Sequence, residues 1–207
     1  MQFIEFKNQM SVYPIFSLKD VKKAFPSLYR IQLDRWEKKK YLKKIKRGFY
    51  CFSQNNIDQD FLFYSANKIY APSYVSLEIA LKYYGFIPEE IFQITSISTK
   101  KTNRFETPIG NFSYTSIKPG LYWGYTLKEF GKQKILLADP EKAVLDYLYI
   151  HTKLKTKHDF LGIRINHEEF QGQIDLQKFQ KYLEAFNNKQ LTLRANIFLA
   201  TIQNDYA

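Results

Sequence analysis

A chain of 207 residues with 45% apolar side chains has enough length and hydrophobic content to bury one large core or two small ones, which excludes a disordered chain. Its single cysteine, Cys51, excludes an internal disulfide, and no run of about 18 apolar residues exists that would cross a bilayer. The formal charge of +11 is unevenly spread: residues 1–50 hold 13 Lys+Arg against 4 Asp+Glu, and residues 51–207 hold 18 against 16, so a polyanionic partner is expected at the N-terminal quarter.

The opening MQFIEFKNQM lacks a cationic start followed by an apolar run, so a cytoplasmic chain with no membrane partner is expected. Phe3, Ile4, Phe6 and Met10 suit a leading helix that Pro14 ends. Ser17, with Asp20 three residues on, forms a capping pattern for a short helix in which Leu18, Val21, Ala24 and Phe25 recur at helical spacing. Pro26 stops it. Ser27 is expected to cap a second helix from Leu28 to about Lys40, with Tyr29, Leu33 and Trp36 as its apolar stripe.

Rotation by 100° per residue then turns Ile31, Asp34 and Lys38, flanked by Arg30 and Arg35, to the outer face. Residues Tyr41 to Lys46 and Phe49 to Phe52 read as two strands joined at Arg47-Gly48, where glycine permits a tight hairpin. The whole segment reads as a winged helix-turn-helix over residues 1–52. A duplex is a dense line of phosphates, and a helix set in its major groove needs flanking cations. Lys38, Lys39, Lys40, Lys43, Lys44, Lys46 and Arg47 are such cations, and the competing reading is a solvated face. The DNA-binding candidates are therefore Ser27, Arg30, Ile31, Asp34, Arg35, Lys38, Lys39, Lys43, Lys44, Lys46 and Arg47.

The polar stretch Ser53 to Asp60 is the expected domain boundary, and residues 53–207 are expected to form a mixed α/β domain with a helical tail from about 160. Phe61 to Ile69 suits a helix, which Ala71-Pro72-Ser73 interrupts. Ser76 is expected to cap a helix from Leu77 to Tyr84 that Gly85 ends. Strands are expected at Phe92 to Thr99, Phe112 to Ile117, Leu121 to Leu127 and Lys134 to Ala138, with Lys100 to Arg104 as a polar turn. Asp139-Pro140-Glu141 is a strong helix start, Thr152 to Asp159 a loop, Asp175 the start of another helix, and Leu191 to Ile202 the last one. The 18 Phe and 16 Tyr are first explained by core packing, since they are not clustered with the cations as base-stacking aromatics would be.

Three segments of the middle of the chain, Pro72 to Leu81 with Gly85-Phe86-Ile87, Thr107 to Phe112 and Pro140 to Leu148, resemble in type and order the AbiEi-type antitoxins of type IV toxin-antitoxin, or abortive phage infection, systems. The Arg47-Gly48-Phe49-Tyr50 hairpin is similar to theirs, and the likeness covers about residues 16 to 150. The resemblance implies an N-terminal winged helix that binds double-stranded DNA in the operon's own promoter and represses it. It also implies a C-terminal antitoxin domain that counters a nucleotidyltransferase-like toxin. Helix-turn-helix proteins often act as dimers, which makes a homodimer on DNA an expectation from fold analogy. The alternatives are a protein-binding module that grips an acidic partner and a stand-alone regulator with no toxin.

A catalytic role is not expected. His151, His158 and His167 lack cysteine partners and an H-E-x-x-H spacing, so no metal site is expected. No glycine-rich phosphate loop exists, and no cofactor is expected. Asp139, Glu141 and Lys142 could imitate a nuclease-type acidic site, but helix capping explains them more simply. Glu78, on an apolar helix face, needs a polar partner, and a structural hydrogen bond is its expected role.

Overall fold

The computed structural model describes residues 2–204; Met1 and residues 205–207, the extreme ends of the two expected domains, lie outside the described residues. The described chain is an α+β protein with ten α-helices, a three-stranded antiparallel sheet and a six-stranded mixed sheet. No helix among the described residues is long and apolar enough to cross a membrane.

The N-terminal unit runs α1 (Phe3–Met10), β1 (Phe16–Ser17), α2 (Leu18–Ala24), α3 (Arg30–Lys38), β2 (Leu42–Lys46) and β3 (Phe49–Phe52). Its strands lie in the order β1-β3-β2, all antiparallel. Phe6, Met10, Phe16, Val21, Leu33, Trp36, Leu42, Tyr50 and Phe52 form its core. The two-residue β1 was not expected, being too short to show alternation.

The body that follows runs α4 (Gln59–Ile69), β4 (Ser73–Val75), α5 (Glu78–Tyr83), β5 (Gln93–Ser98), β6 (Asn103–Thr107), β7 (Gly110–Ser116), β8 (Tyr125–Phe130), β9 (Gln133–Ala138), α6 (Pro140–Ile150), α7 (Lys157–Leu161), α8 (His167–Gln173), α9 (Leu176–Phe186) and α10 (Lys189–Asn204). The sheet order is β6-β7-β5-β4-β9-β8, with parallel pairing of β5 to β7 and of β4 to β9. Ser73 donates to the Ala66 carbonyl in α4, whereas its neighbour Tyr74 reaches Asp146 in α6. Successive strand residues point to opposite faces, so α4 and α6 cover opposite sides of the sheet.

Several local expectations need correction. The Ala71-Pro72-Ser73 stretch does interrupt the helix, α4 ending at Ile69, but it leads into an unexpected strand, β4, central and buried at all three positions, which leaves no alternation to detect. Residues Asn103 to Arg104, assigned to a turn, belong to the edge strand β6. Leu121 closes a short 3-10 turn, Pro119–Leu121, and the strand expected from Leu121 begins only at Tyr125. Phe92 lies outside β5 and is 88% exposed, because β5 is central and takes its buried residues from Ile94 onward. The expected loop ends in α7, opened by a Thr156–Asp159 capping box.

The N-terminal unit is seated on this body. Ile15, Ile45 and Cys51 are buried in the body's core, with Phe49 packed against it. The Asn55 side-chain amide (Nδ2) donates to the Pro14 carbonyl at 2.9 Å, so the chain leaving β3 is tied back to the segment entering β1.

Candidate nucleic-acid interface

The start of α2 is fixed by a complete capping box. The Asp20 amide donates to Ser17 Oγ at 3.2 Å, and the Ser17 amide donates to the Asp20 carboxylate at 2.7 Å. Between α2 and α3 the Leu28 amide donates to the Phe25 carbonyl at 3.1 Å, closing a turn with Pro26 and Ser27 as its central pair. This turn explains why Ser27 does not cap α3. Proline presets the second position of such a turn, and Ser27 is spent as the third. The helix therefore begins at Arg30, two residues later than expected, with an extended Tyr29 at the cap position that makes no side-chain cap. Tyr29 is 77% exposed, and Leu28 takes its place in the buried set with Leu33 and Trp36.

The C-terminus of α3 explains where the lysines lie. The Tyr41 amide donates to the Trp36 carbonyl and the Lys40 amide to that of Glu37, both at 2.9 Å, which is a Schellman closure. Lys40 occupies its left-handed position at φ +58°, where glycine is usual. The exposed set on this side comprises Ser27, Arg30, Ile31, Arg35, Lys38, Lys39, Lys40 and Arg47. Asp34 is only half-exposed; burial and the Asp34 carboxylate push the Tyr50 phenol up, with Arg30 acting against them.

The hairpin lysines divide by strand geometry. Lys43 pairs with Cys51 and Lys44 with Tyr50, and both are half-buried. The register shifts between Lys44 and Lys46, and the hairpin closes at Gly48, φ +85°. Its tip is pinned, since the Leu18 amide donates to the Gly48 carbonyl at 2.9 Å. Lys46 bridges the hairpin and the body: its Nζ lies 5.4 Å from the ring centroid of its hairpin partner Phe49 and 3.7 Å from that of Phe105 in β6. Burial, aided by the charge of Lys100, holds its ammonium below the usual lysine range.

Two of the three family-like segments meet in the body's interior. Asp139 caps α6 by accepting from the Lys142 amide at 2.9 Å, and Pro140 occupies the first turn. Lys142 Nζ contacts the Asp146 carboxylate and the Tyr74 hydroxyl, while Tyr74 and Ser76 donate to Asp146 at 2.8 and 2.9 Å. Ser76 is thus an internal donor, and α5 starts instead from Leu77 at φ +63°. Burial pushes Lys142 down and Asp146 up, each toward its neutral form, and their mutual contact opposes this. Lys178 binds both Asp139 and Glu141, at 3.1 and 2.7 Å, and Tyr182 donates to Asp139. The carboxylates are thereby occupied in holding α9 against α6. No group of three or more His, Cys, Asp or Glu side chains among the described residues is placed to hold a metal.

Glu78 finds the partner its environment demands, which spacing alone did not identify: His151 Nε2 lies 3.1 Å from its carboxylate. His151 Nδ1 faces the Tyr147 carbonyl at 2.9 Å, so both ring nitrogens face acceptors, and the Glu78 hydrogen bond, with help from this carbonyl, raises the ring's pKa against the opposing effect of burial. The pair borders a cleft of about 470 Å³ over β5 and β7, lined also by Thr95, Arg104, Ser113 and Thr115. No protein-family model matches the chain, and no curated protein matches it in sequence.

Proposed function

We propose that this chain is a DNA-binding repressor whose N-terminal unit acts as a winged helix-turn-helix, and that it is an antitoxin of the AbiEi type. The observation that carries the reading is the outer face of α3, where Arg30, Ile31, Arg35 and Lys38 stand exposed together, next to a hairpin tip carrying Arg47. A helix with cations at both ends and an apolar residue between them suits a major groove, where phosphates hold the register and base edges are read. The Phe25–Leu28 turn between α2 and α3, and the three-stranded sheet behind them, support the winged-helix reading.

The antitoxin part rests on the order of the three resembling segments. Two of them build the Tyr74–Lys142–Asp146 cluster, so segments far apart in sequence meet in space, where each satisfies a buried polar group of the other. In this reading residues 53–207 counter a nucleotidyltransferase-like toxin.

The test is binding to a duplex from the region upstream of the chain's own gene. Deleting residues 1–52 is a poor variant, because Ile15, Ile45 and Cys51 complete the body's core. The full chain carrying Arg30→Glu and Arg35→Glu keeps that core and should lose retardation of the duplex. Unchanged retardation overturns the DNA reading. Failure of the wild-type chain to bind duplex, combined with tight capture of an acidic neighbouring gene product, favours a protein-binding module.

A further inference from the structure

The hairpin of the N-terminal unit is short, its tip is tied to α2, and Lys46 reaches across to the body. A reader of duplex DNA with so small a wing has few cations left to follow the phosphate line past Arg47. The connection between β5 and β6 supplies them. Lys100 and Lys101 lie there, both exposed, and neither has an ion-pair partner among the described residues.

This connection is rigidly placed. The Tyr70 hydroxyl donates to the Lys101 carbonyl at 2.7 Å, the Lys100 amide donates to Ser98 Oγ at 3.1 Å, and the Ser116 amide donates to Thr102 Oγ1 at 3.2 Å. Its position relative to the hairpin follows from one ring. Lys46 Nζ and Lys100 Nζ both lie over Tyr70, at 5.8 and 5.4 Å from its centroid. Two ammonium groups converging on one ring repel each other; burial first, and then the field of Lys100, lowers the affinity of Lys46 for its proton. A polyanion lying across both would relieve that repulsion.

We propose that the Lys100–Lys101 connection is a second phosphate-contacting element, extending the DNA-binding surface from the hairpin onto the six-stranded body. The partner is the sugar-phosphate backbone of the duplex, and the contact carries no base specificity. The inference rests on the DNA-binding reading of α3.

The experiment measures affinity of the full chain for a mixed-sequence DNA duplex across a salt series, for the wild type, for Lys100→Gln/Lys101→Gln and for Arg30→Gln/Arg35→Gln. Lys100 and Lys101 are exposed, so their replacement leaves the fold intact, which circular dichroism checks. Loss of two phosphate contacts should flatten the slope of log affinity against log salt by about 1.8. An unchanged slope in the Lys100/Lys101 variant, with a flattened one in the Arg30/Arg35 variant, overturns this inference and leaves the α3 reading standing. Absence of salt-dependent binding by the wild type overturns both.

Discussion

Lys142 and Asp146 stand one helical turn apart on α6 with their charged ends in contact and both side chains sealed from solvent. A buried pair of this kind contributes little relative to a well-packed apolar pair, yet is expensive to break on one side only. Lys142→Met would leave the Asp146 carboxylate with two hydroxyl donors and no cation. It should cost about 3–5 kcal/mol in urea unfolding. Adding Asp146→Asn removes the uncompensated charge while keeping an acceptor for Tyr74 and Ser76. The double variant should therefore be more stable than Lys142→Met alone, and a less stable one contradicts the reading of Lys142 and Asp146 as an ion pair.

Gly124 is the position that lets the lysine in. Its φ is +74°, and a Cβ built there would lie 2.9 Å from Lys142 Cγ. Gly124→Ala meets a strained backbone and a crowded, immobile side chain at once. A loss of about 2 kcal/mol or more is expected by chemical denaturation, and a loss under about 0.5 kcal/mol shows that the segment moves freely.

The Glu78–His151 pair sets a pH window. Its hydrogen bond to Glu78 raises His151 above its ordinary 6.5, so that contribution is complete below 6.5 and disappears as pH rises through the folded-state value. Glu78 is held below its ordinary 4.5 by the bond from His151, which outweighs the opposing effect of burial with the help of its other hydrogen bonds. Its contribution is present above 4.5 and disappears as pH falls through the folded-state value. The stability difference between wild type and His151→Gln should peak between those two limits and shrink on either side. Thermal melts from acid to mildly alkaline buffer test this, and a difference that grows steadily above neutrality would refute it.

If α3 reads duplex DNA as proposed, Arg30→Ala and Arg35→Ala should each weaken binding to a specific duplex by about 1–3 kcal/mol where the side chain reads a base edge. Arg47→Ala should act evenly on all sequences and lower the salt slope by about 0.9. Competition assays with specific and mixed-sequence duplexes separate the two behaviours. Equal losses on both duplexes for Arg30 and Arg35 would reduce them to phosphate contacts.

Lys40 offers a trade between stability and charge. A non-glycine residue in the left-handed region costs about 1 kcal/mol, so Lys40→Gly should stabilise the chain by about that amount. The same change removes an exposed cation beside α3 and should weaken DNA binding at low salt. A variant that gains no stability would show that the Lys40 side chain makes a compensating contact.

The amino-acid sequence by itself determined the local signals: the Ser17–Asp20 capping box, the Asp139-Pro140 start of α6, the Gly48 hairpin and the concentration of cations before residue 50. Each depends on residues at most a few positions apart, where propensity and capping chemistry act without help. Tertiary structure alone decided that β4 is a strand, that Ser76 faces Asp146 and not its own helix, and that Lys46 reaches from the hairpin to Phe105. For Ser76 a long-range partner outweighs the local preference, because a buried polar group must find its hydrogen bond wherever the fold places one; β4, as a central strand, buries both faces and erases its own pattern; and Lys46 meets the Phe105 ring only where the fold brings β6 to it.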